Sequence, residues 1–382
     1  MPRKPYNVGP VTLRSMPFWC VGNPLGDPFG EIAIDRIDSE EVAKILADAA
    51  EEGLIEATSF HDDDLVDWDP KNPEDDLDPK SETYKKLRRI RSTLRKAGIR
   101  INMATCALHV NKIFQKGGLT NPDPKLRELA RKKVERTLRI GNFFGAKYYT
   151  YWVARDGFEV PVTVDWNNVY TWLADGLNAV TDYIAKKKFK NYVGATIEPK
   201  PNEPRGHMFL PTSGHAVGFI QTCLKKPDFW GINPELLQHE SMALMNSVHT
   251  LGFLLATNKF SFLHFGSQIK AQFDNDFPPL VGPEGLKETA QMFWLLNQSG
   301  WKGVVEFDCH MLRTEGNLKS SRDSRLAFIR NASTALTISL ELGKRLGNKV
   351  YSSRSETVSD HQSIMKMCGL KPALIAKKTK SK

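Results

Sequence analysis

The chain has 382 residues, 41% hydrophobic and 25% charged, with a formal net charge of +9. That is the composition of a soluble globular protein, large enough for one α/β barrel or two medium domains, and no apolar run is long enough to span a bilayer. The positive excess gathers at residues 125–139 and in a tail holding Lys377, Lys378, Lys380 and Lys382; without interleaved aromatic side chains to stack bases, these read as a solvated helix face and a disordered end, so no nucleic-acid partner is expected.

At the start of the chain, Arg3 and Lys4 have no apolar segment behind them, so no signal peptide is expected. Eight β-like runs follow, at residues 18–22, 55–60, 99–105, 147–152, 192–197, 231–237, 260–265 and 303–308. Several are continuously apolar or β-branched, as buried parallel strands should be, and 231–237 is the least regular. Helical periodicity lies between most of them. In residues 39–53, Val42, Ile45, Leu46 and Ala49 fall at i, i+3, i+4 and i+7, with Ser39 as N-cap and Gly53 as the stop. Leu126, Leu129, Ala130, Val134 and Leu138 form a second stripe. The acidic stretch 62–78 reads as a solvated insertion in the second βα loop.

This alternation predicts a (β/α)8 TIM barrel. Residues 1–315 would form the barrel catalytic domain. Residues 316–382 would add a C-terminal helical extension, an arm with an apolar helix at 326–346 followed by a basic tail. The five cysteines, Cys20, Cys106, Cys223, Cys309 and Cys368, are scattered without CxxC spacing, which points to reduced thiols and a cytoplasmic protein.

The densest chemical signal is the run Glu198-Pro199-Lys200-Pro201-Asn202-Glu203-Pro204-Arg205-Gly206-His207. Its prolines stop the preceding strand. Glu198 and Lys200, at i and i+2, then share one face of extended chain. Barrel active sites are built at the C-terminal strand ends, which places the chemistry of this chain where its strands stop. The second carries His61-Asp62-Asp63-Asp64, the third Thr105 and the fourth Trp152. The sixth region carries Asn233-Pro234-Glu235 and His239-Glu240. His264, Asp274 and Asp276 follow the seventh, and Asp308 ends the eighth. Carboxylates this dense repel one another unless cations pair them. An oxygen-rich set with few imidazoles suits Mg²⁺, Mn²⁺ or Co²⁺. Two ions bridged by one carboxylate would account for the number of acids.

These residues resemble the shorter class of xylose isomerases (D-xylose ketol-isomerases) from about residue 19 to 315. The matching stretches are Trp19-Cys20-Val21-Gly22, Asp27-Pro28-Phe29-Gly30, Phe60-His61-Asp62-Asp63-Asp64-Leu65, residues 197–206, Gly231-Ile232-Asn233-Pro234-Glu235, Asp274-Asn275-Asp276 and Phe307-Asp308. The resemblance implies a homotetramer with two divalent metal ions per subunit. It implies interconversion of D-xylose and D-xylulose by a 1,2-hydride shift. The structural ion would be held by Glu198, Glu235 and Asp308, and the catalytic ion by Glu235, Asp274, Asp276 and a histidine, His239. His61, oriented by Asp64, would assist ring opening, and Lys200 would polarise the carbonyl oxygen. Trp19, Trp152, Thr105 and His109 would line the sugar, and Phe29 would reach a neighbouring subunit's site.

Four positions depart from the family. His264 replaces an aspartate ligand of the structural ion, which shifts preference toward softer transition metals. His239 comes one residue later than the usual spacing, with Gln238 in its place. His109 replaces a phenylalanine, and Gln272 replaces a lysine before the aspartate pair. Two alternatives stand beside the isomerase: a related isomerase or epimerase acting on another sugar, and a non-catalytic metal- or sugar-binding homologue. A barrel endonuclease for abasic DNA fits poorly, because it would use several histidine ligands for zinc.

Overall fold

The computed structural model describes residues 9–22, 34–35, 37–73, 77–281, 285–312, 316, 319–347 and 356–370. Eight strands form one sheet: β1 (Val11–Ser15), β2 (Ala57–His61), β3 (Arg100–Thr105), β4 (Tyr148–Trp152), β5 (Gly194–Glu198), β6 (Trp230–Ile232), β7 (Leu263–Phe265) and β8 (Gly303–Phe307). Their spatial order is β6-β5-β4-β3-β2-β1-β8-β7, and every ladder is parallel. The two ends meet through the parallel bridges Ile232↔Phe260 and Glu235↔His264. The Ile232 amide donates to Lys259 O at 2.7 Å and the Ser261 amide to Ile232 O at 3.1 Å. The sheet therefore closes on itself, as the βα alternation predicts.

The first strand lies elsewhere than expected. Residues 18–22 form the short helix α1 (Phe18–Gly22), and the strand is Val11–Ser15, which pairs with β8 through Ser15↔Glu306 and with β2 through Ser15↔Ala57. A five-residue apolar run cannot separate a buried helical turn from a strand. The true strand is disguised by Arg14, whose buried guanidinium meets Glu56 at 2.5 Å and Ser333 Oγ at 3.0 Å.

The helices follow their apolar stripes. In α2 (Ser39–Glu51) the N-cap is Asp38, one residue before the expected Ser39; it accepts from the Glu40 and Glu41 amides. Gly53, at φ +73°, ends it as expected. Helix α5 (Pro124–Phe144) buries Ala130, Val134 and Leu138, starts on Asp123 with Pro124 in its first turn, and stops at Gly145.

One face of α5 departs from the solvated reading. Lys133 and Arg136 are buried against Asp62, in the first turn of α3 (Asp62–Leu65). Lys133 Nζ contacts both Asp62 oxygens at 2.9 and 2.8 Å, and Arg136 Nη1 adds a third contact at 2.7 Å. The start of the acidic stretch is thus an interior ion cluster that ties α3 to α5. Removing one partner strands the other charges away from water, so Asp62→Asn should cost about 3–5 kcal/mol of stability. Urea denaturation checks this, and a loss below about 1 kcal/mol would rule out a structural role for the cluster.

The expected C-terminal arm also departs from its description. Helix α11 (Ser321–Arg345) packs against α10 (Gly285–Ser299) and α2, and places Leu326, Ile329, Leu336 and Leu340 in the main core. It is the helix that follows β8 and completes the ring. The last described helix, α12 (Glu356–Met367), returns over α11, with Met367 packed beside Ala290 and Leu346. The basic tail lies outside the described residues. Among the described residues, no helix is long and apolar enough to cross a membrane.

Candidate active site and metal centre

The C-terminal strand ends surround a cavity of about 240 Å³. Beyond β5, the proline-rich run is pinned by a two-stranded ribbon pairing Gly157–Phe158 with His207–Met208. This leaves Glu198 and Lys200, both 4% exposed, facing the cavity two residues apart.

Four residues converge at its floor. Ligand atoms of Glu198, Glu235, His264 and Asp308 all lie within 4.8 Å of one another. His264 Nδ1 is 2.8 Å from Asp308 Oδ2, 3.4 Å from Glu235 Oε1 and 3.5 Å from Glu198 Oε2. Donors each about 2.1 Å from a shared ion stand roughly 3.0–3.4 Å apart, so these separations fit one divalent cation. The electrostatics call for a cation as well. Burial pushes the Glu235 carboxyl well above its usual range, and Asp308 and Glu198 add to the push. Burial opposes charging of His264, but Glu198 and Asp308 outweigh it and raise its pKa. Asp308 goes the other way: despite burial, His264 and the Trp19 indole hold it low, with Trp19 Nε1 donating to Asp308 Oδ1 at 2.8 Å.

A second group shares Glu235. His239 Nε2 lies 3.1 Å from Glu235 Oε2 and 3.5 Å from Asp274 Oδ2. Its Nδ1 is 3.0 Å from the Pro199 carbonyl, which assigns Nε2 as the nitrogen turned to the carboxylates. The extra residue before His239 therefore does not carry it away. That residue, Gln238, turns inward and donates to Asp276 Oδ1 at 3.0 Å and to Asp308 O at 2.6 Å. Lys200 Nζ meets Asp274 Oδ2 at 2.5 Å. Against the pull of burial, that ammonium holds Asp274 well below the carboxylate range, whereas burial and the neighbouring Asp274 raise Asp276.

The opposite wall carries an imidazole pair. Asp64 accepts from the His61 amide at 2.7 Å and lies 3.1 Å from its Nδ1, which leaves Nε2 as the reactive nitrogen. Burial lowers the His61 pKa, but Asp64 and Asp62 outweigh it and raise it overall. The Trp19 ring lies 4.7 Å from His61, the His109 ring 5.4 Å from it, and Trp152 4.8 Å from His109. Burial, then His61, holds His109 well below its usual pKa, as a neutral imidazole. Thr105 Oγ1 and Asp274 Oδ1, both buried, have no hydrogen-bond partner among the described residues. Cavity-facing polar atoms of this kind suit a bound polar ligand.

Of the residues singled out in the sequence, Trp19, His61, Thr105, His109, Trp152, Glu198, Lys200, Glu235, His239, Asp274, Asp276 and Asp308 line one cavity, and His264 stands beneath it. Phe29 lies outside the described residues. Glu240 points away and accepts from the Ser213 amide at 2.7 Å. Gln272 is exposed. The sequence reading missed Glu306, Gln238 and His310. Glu306 had a usable signal, since it precedes Asp308 by two residues on β8 and so shares its inward face.

The model of the xylose isomerase-like TIM barrel family matches residues 46–332. Xylose isomerase of Thermus thermophilus is 35% identical over 310 residues, 81% of this chain and 76% of that protein. The same enzyme of Thermus caldophilus is 35% identical over the same shares. Among solved structures, an L-ribulose 3-epimerase has a TM-score of 0.59 at 14% identity, over 91% of this chain and 98% of that one. A D-psicose 3-epimerase from Clostridium cellulolyticum H10 has a TM-score of 0.56 at 12% identity, over 87% and 99%. At such identities the structural likeness speaks to the fold.

Proposed function

The chain belongs to the xylose isomerase-like TIM barrel family, and within it we propose a divalent-metal-dependent sugar isomerase that interconverts an aldose and its ketose, with D-xylose and D-xylulose as the leading pair. The observation that carries this reading is the single cavity in which two carboxylate–imidazole groups share Glu235, with Lys200 held on Asp274 of the second group and His61 on the facing wall. Glu198, Glu235, His264 and Asp308 would hold one ion, and Glu235, His239, Asp274 and Asp276 the other. Bound ions would supply Lewis-acid stabilisation of charge developing on the sugar oxygens.

The chain's own groups divide the remaining work. His61, with Nδ1 on Asp64, presents Nε2 to move a proton at the ring oxygen and open the sugar. Lys200 stays protonated because Asp274 and Asp276 outweigh its burial, and it donates to the carbonyl oxygen. Trp19 and Trp152 wall the cavity against water, so that hydrogen passes from C2 to C1 with its electron pair and does not exchange with solvent. A homotetramer, with Phe29 supplied to a neighbour's cavity, is part of the same reading, and sizing chromatography tests it.

His109 favours a second reading. It sets beside His61 an imidazole whose buried Nδ1 has no hydrogen-bond partner among the described residues, a nitrogen placed to take a proton from a sugar carbon, as an epimerase requires. One experiment separates the two. Chelator-stripped protein is resupplied with Mg²⁺, Mn²⁺ or Co²⁺ in turn and given D-xylose deuterated at C2. Metal-dependent D-xylulose carrying the deuterium at C1 is expected. Label lost to water would favour proton transfer, and no conversion with any bound metal would remove D-xylose as the substrate.

A further inference from the structure

His264 stands on β7 beside Glu306 on β8, paired with it in register. Its Nε2 lies 3.0 Å from Glu306 Oε1. The other carboxylate oxygen, Oε2, accepts from the hydroxyls of Ser15 and Ser59 and from Asn102 Nδ2 at 3.3 Å. Those three donors come from β1, β2 and β3, and all of these groups are buried. Glu306 is thus fixed through one oxygen by donors from three other strands, and the other is kept for the imidazole. Asn233 Nδ2 is 3.1 Å from the same ring nitrogen and donates to Glu198 Oε2 at 2.8 Å; the carboxylate of Glu306, which can only accept and carries charge, is the stronger partner and favours a proton on Nε2.

Two consequences follow for the ring. Nε2–H is the natural donor to Glu306, and Nδ1 turns its lone pair to Glu198, Glu235 and Asp308. A carboxylate behind a ligating imidazole selects its tautomer and raises its basicity. We infer that Glu306 is a positioning residue that makes His264 an Nδ1 ligand, so that the floor centre takes a late first-row transition ion such as Co²⁺ in preference to Mg²⁺. Imidazole is a good ligand for such ions, whereas Mg²⁺ prefers hard oxygens and retains its waters. The inference rests on the proposed metal centre and goes beyond it, because the resemblance implies an aspartate at this position.

The test is Glu306→Gln. Its amide oxygen can still take the Ser15, Ser59 and Asn102 donors, which turns the NH2 toward His264 Nε2 and forces the ring proton onto Nδ1. Chelator-stripped full-length protein is dialysed against Co²⁺ alone and against Mg²⁺ alone, beside wild type, Glu198→Gln, His264→Ala and the His264→Ala/Glu306→Gln double variant. Wild type should prefer Co²⁺, and Glu306→Gln should weaken Co²⁺ at one site by roughly 10–100-fold while Mg²⁺ changes little. The solvent-exchangeable imidazole N–H resonance shifted by bound Co²⁺ should disappear, a readout that general loosening would not move. In the His264→Ala background, Glu306→Gln should cost nothing further, because Glu306 acts through the ring. His264→Ala alone, which should weaken Co²⁺ at one site and spare Mg²⁺, keeps the test readable if Glu306→Gln folds poorly. Wild-type preference for Mg²⁺, or unchanged Co²⁺ affinity in Glu306→Gln, would overturn the inference alone. Wild type without tightly bound metal, unaffected by Glu198→Gln, would overturn the metal centre with it.

Discussion

Replacing Glu235 with glutamine is expected to remove metal-dependent turnover and yet make the metal-stripped protein more stable. Glu235 touches both groups, with Oε1 toward His264 at 3.4 Å and Oε2 toward His239 at 3.1 Å. Each centre would lose an anionic ligand. If each loses about 10–100-fold in affinity, turnover at limiting metal should fall roughly 10²–10⁴-fold. The stability effect has the opposite sign. Burial, then Asp308 and Glu198, raises the folded-state pKa of Glu235. A raised carboxyl contributes its stability below its unfolded pKa, near 4.5. That contribution is lost as pH rises through the folded value. Asp276 is raised likewise. His264, also raised, keeps its contribution below about pH 6.5 and loses it at higher pH. Stripped wild type should therefore lose stability as pH rises above about 5, and divalent metal should restore it. Glutamine, neutral throughout, removes Glu235's share of that loss. Thermal denaturation at pH 5 and pH 8, with and without metal, and elemental analysis of the loaded protein check both parts. Two ions per chain in the variant, or a stripped variant less stable than stripped wild type at pH 8, would defeat the argument.

How far the sequence revealed this molecule depends on where each residue stands. The runs behind β2, β3, β4, β5 and β8 were readable because buried parallel strands are continuously apolar. β1 was not, because Arg14 interrupts it with a charge whose partners, Glu56 and Ser333, come from distant parts of the chain. The residues facing the cavity were readable because barrel chemistry collects at strand ends. Glu306 escaped because it sits one layer below that end, where its donors come from three other strands. Lys133 and Arg136 escaped for a related reason. A cation on a helix looks solvated until tertiary packing brings Asp62 to it. Gln238 looked like a break in the His239 spacing, but it is absorbed at the start of the one-turn helix α8 (His239–Met242) and is anchored by Asp276. Apart from the spacing of Glu306 to Asp308, which was a local signal, these misses are long-range pairings, which local pattern does not encode.

Lys200→Met should separate catalysis from metal binding. The ammonium is 4% exposed and lies 2.5 Å from Asp274 Oδ2. It does two things that pull apart. It offsets part of the charge of a carboxylate proposed to hold an ion, and it offers a donor to the substrate oxygen. Methionine keeps the length and apolar stem but removes the charge. Asp274 then keeps His239, 3.5 Å away, as its nearby basic neighbour, so cation affinity at that centre should stay the same or tighten by up to about tenfold. Loss of a preorganised, buried donor should lower kcat by roughly 10²–10³-fold. Because the contact is made most strongly as charge develops, kcat and kcat/KM should fall together. The pH profile should move as well. Lys200 is the main charge holding Asp274 low. Without it the Asp274 carboxyl rises, and the acid side of the rate profile should shift to higher pH. Calorimetric titration of stripped protein with Co²⁺, paired with rates at saturating metal, tests the separation. If the lost rate returned on adding more metal, Lys200 would act only through the ion; if kcat did not change, it would have no part in the chemistry.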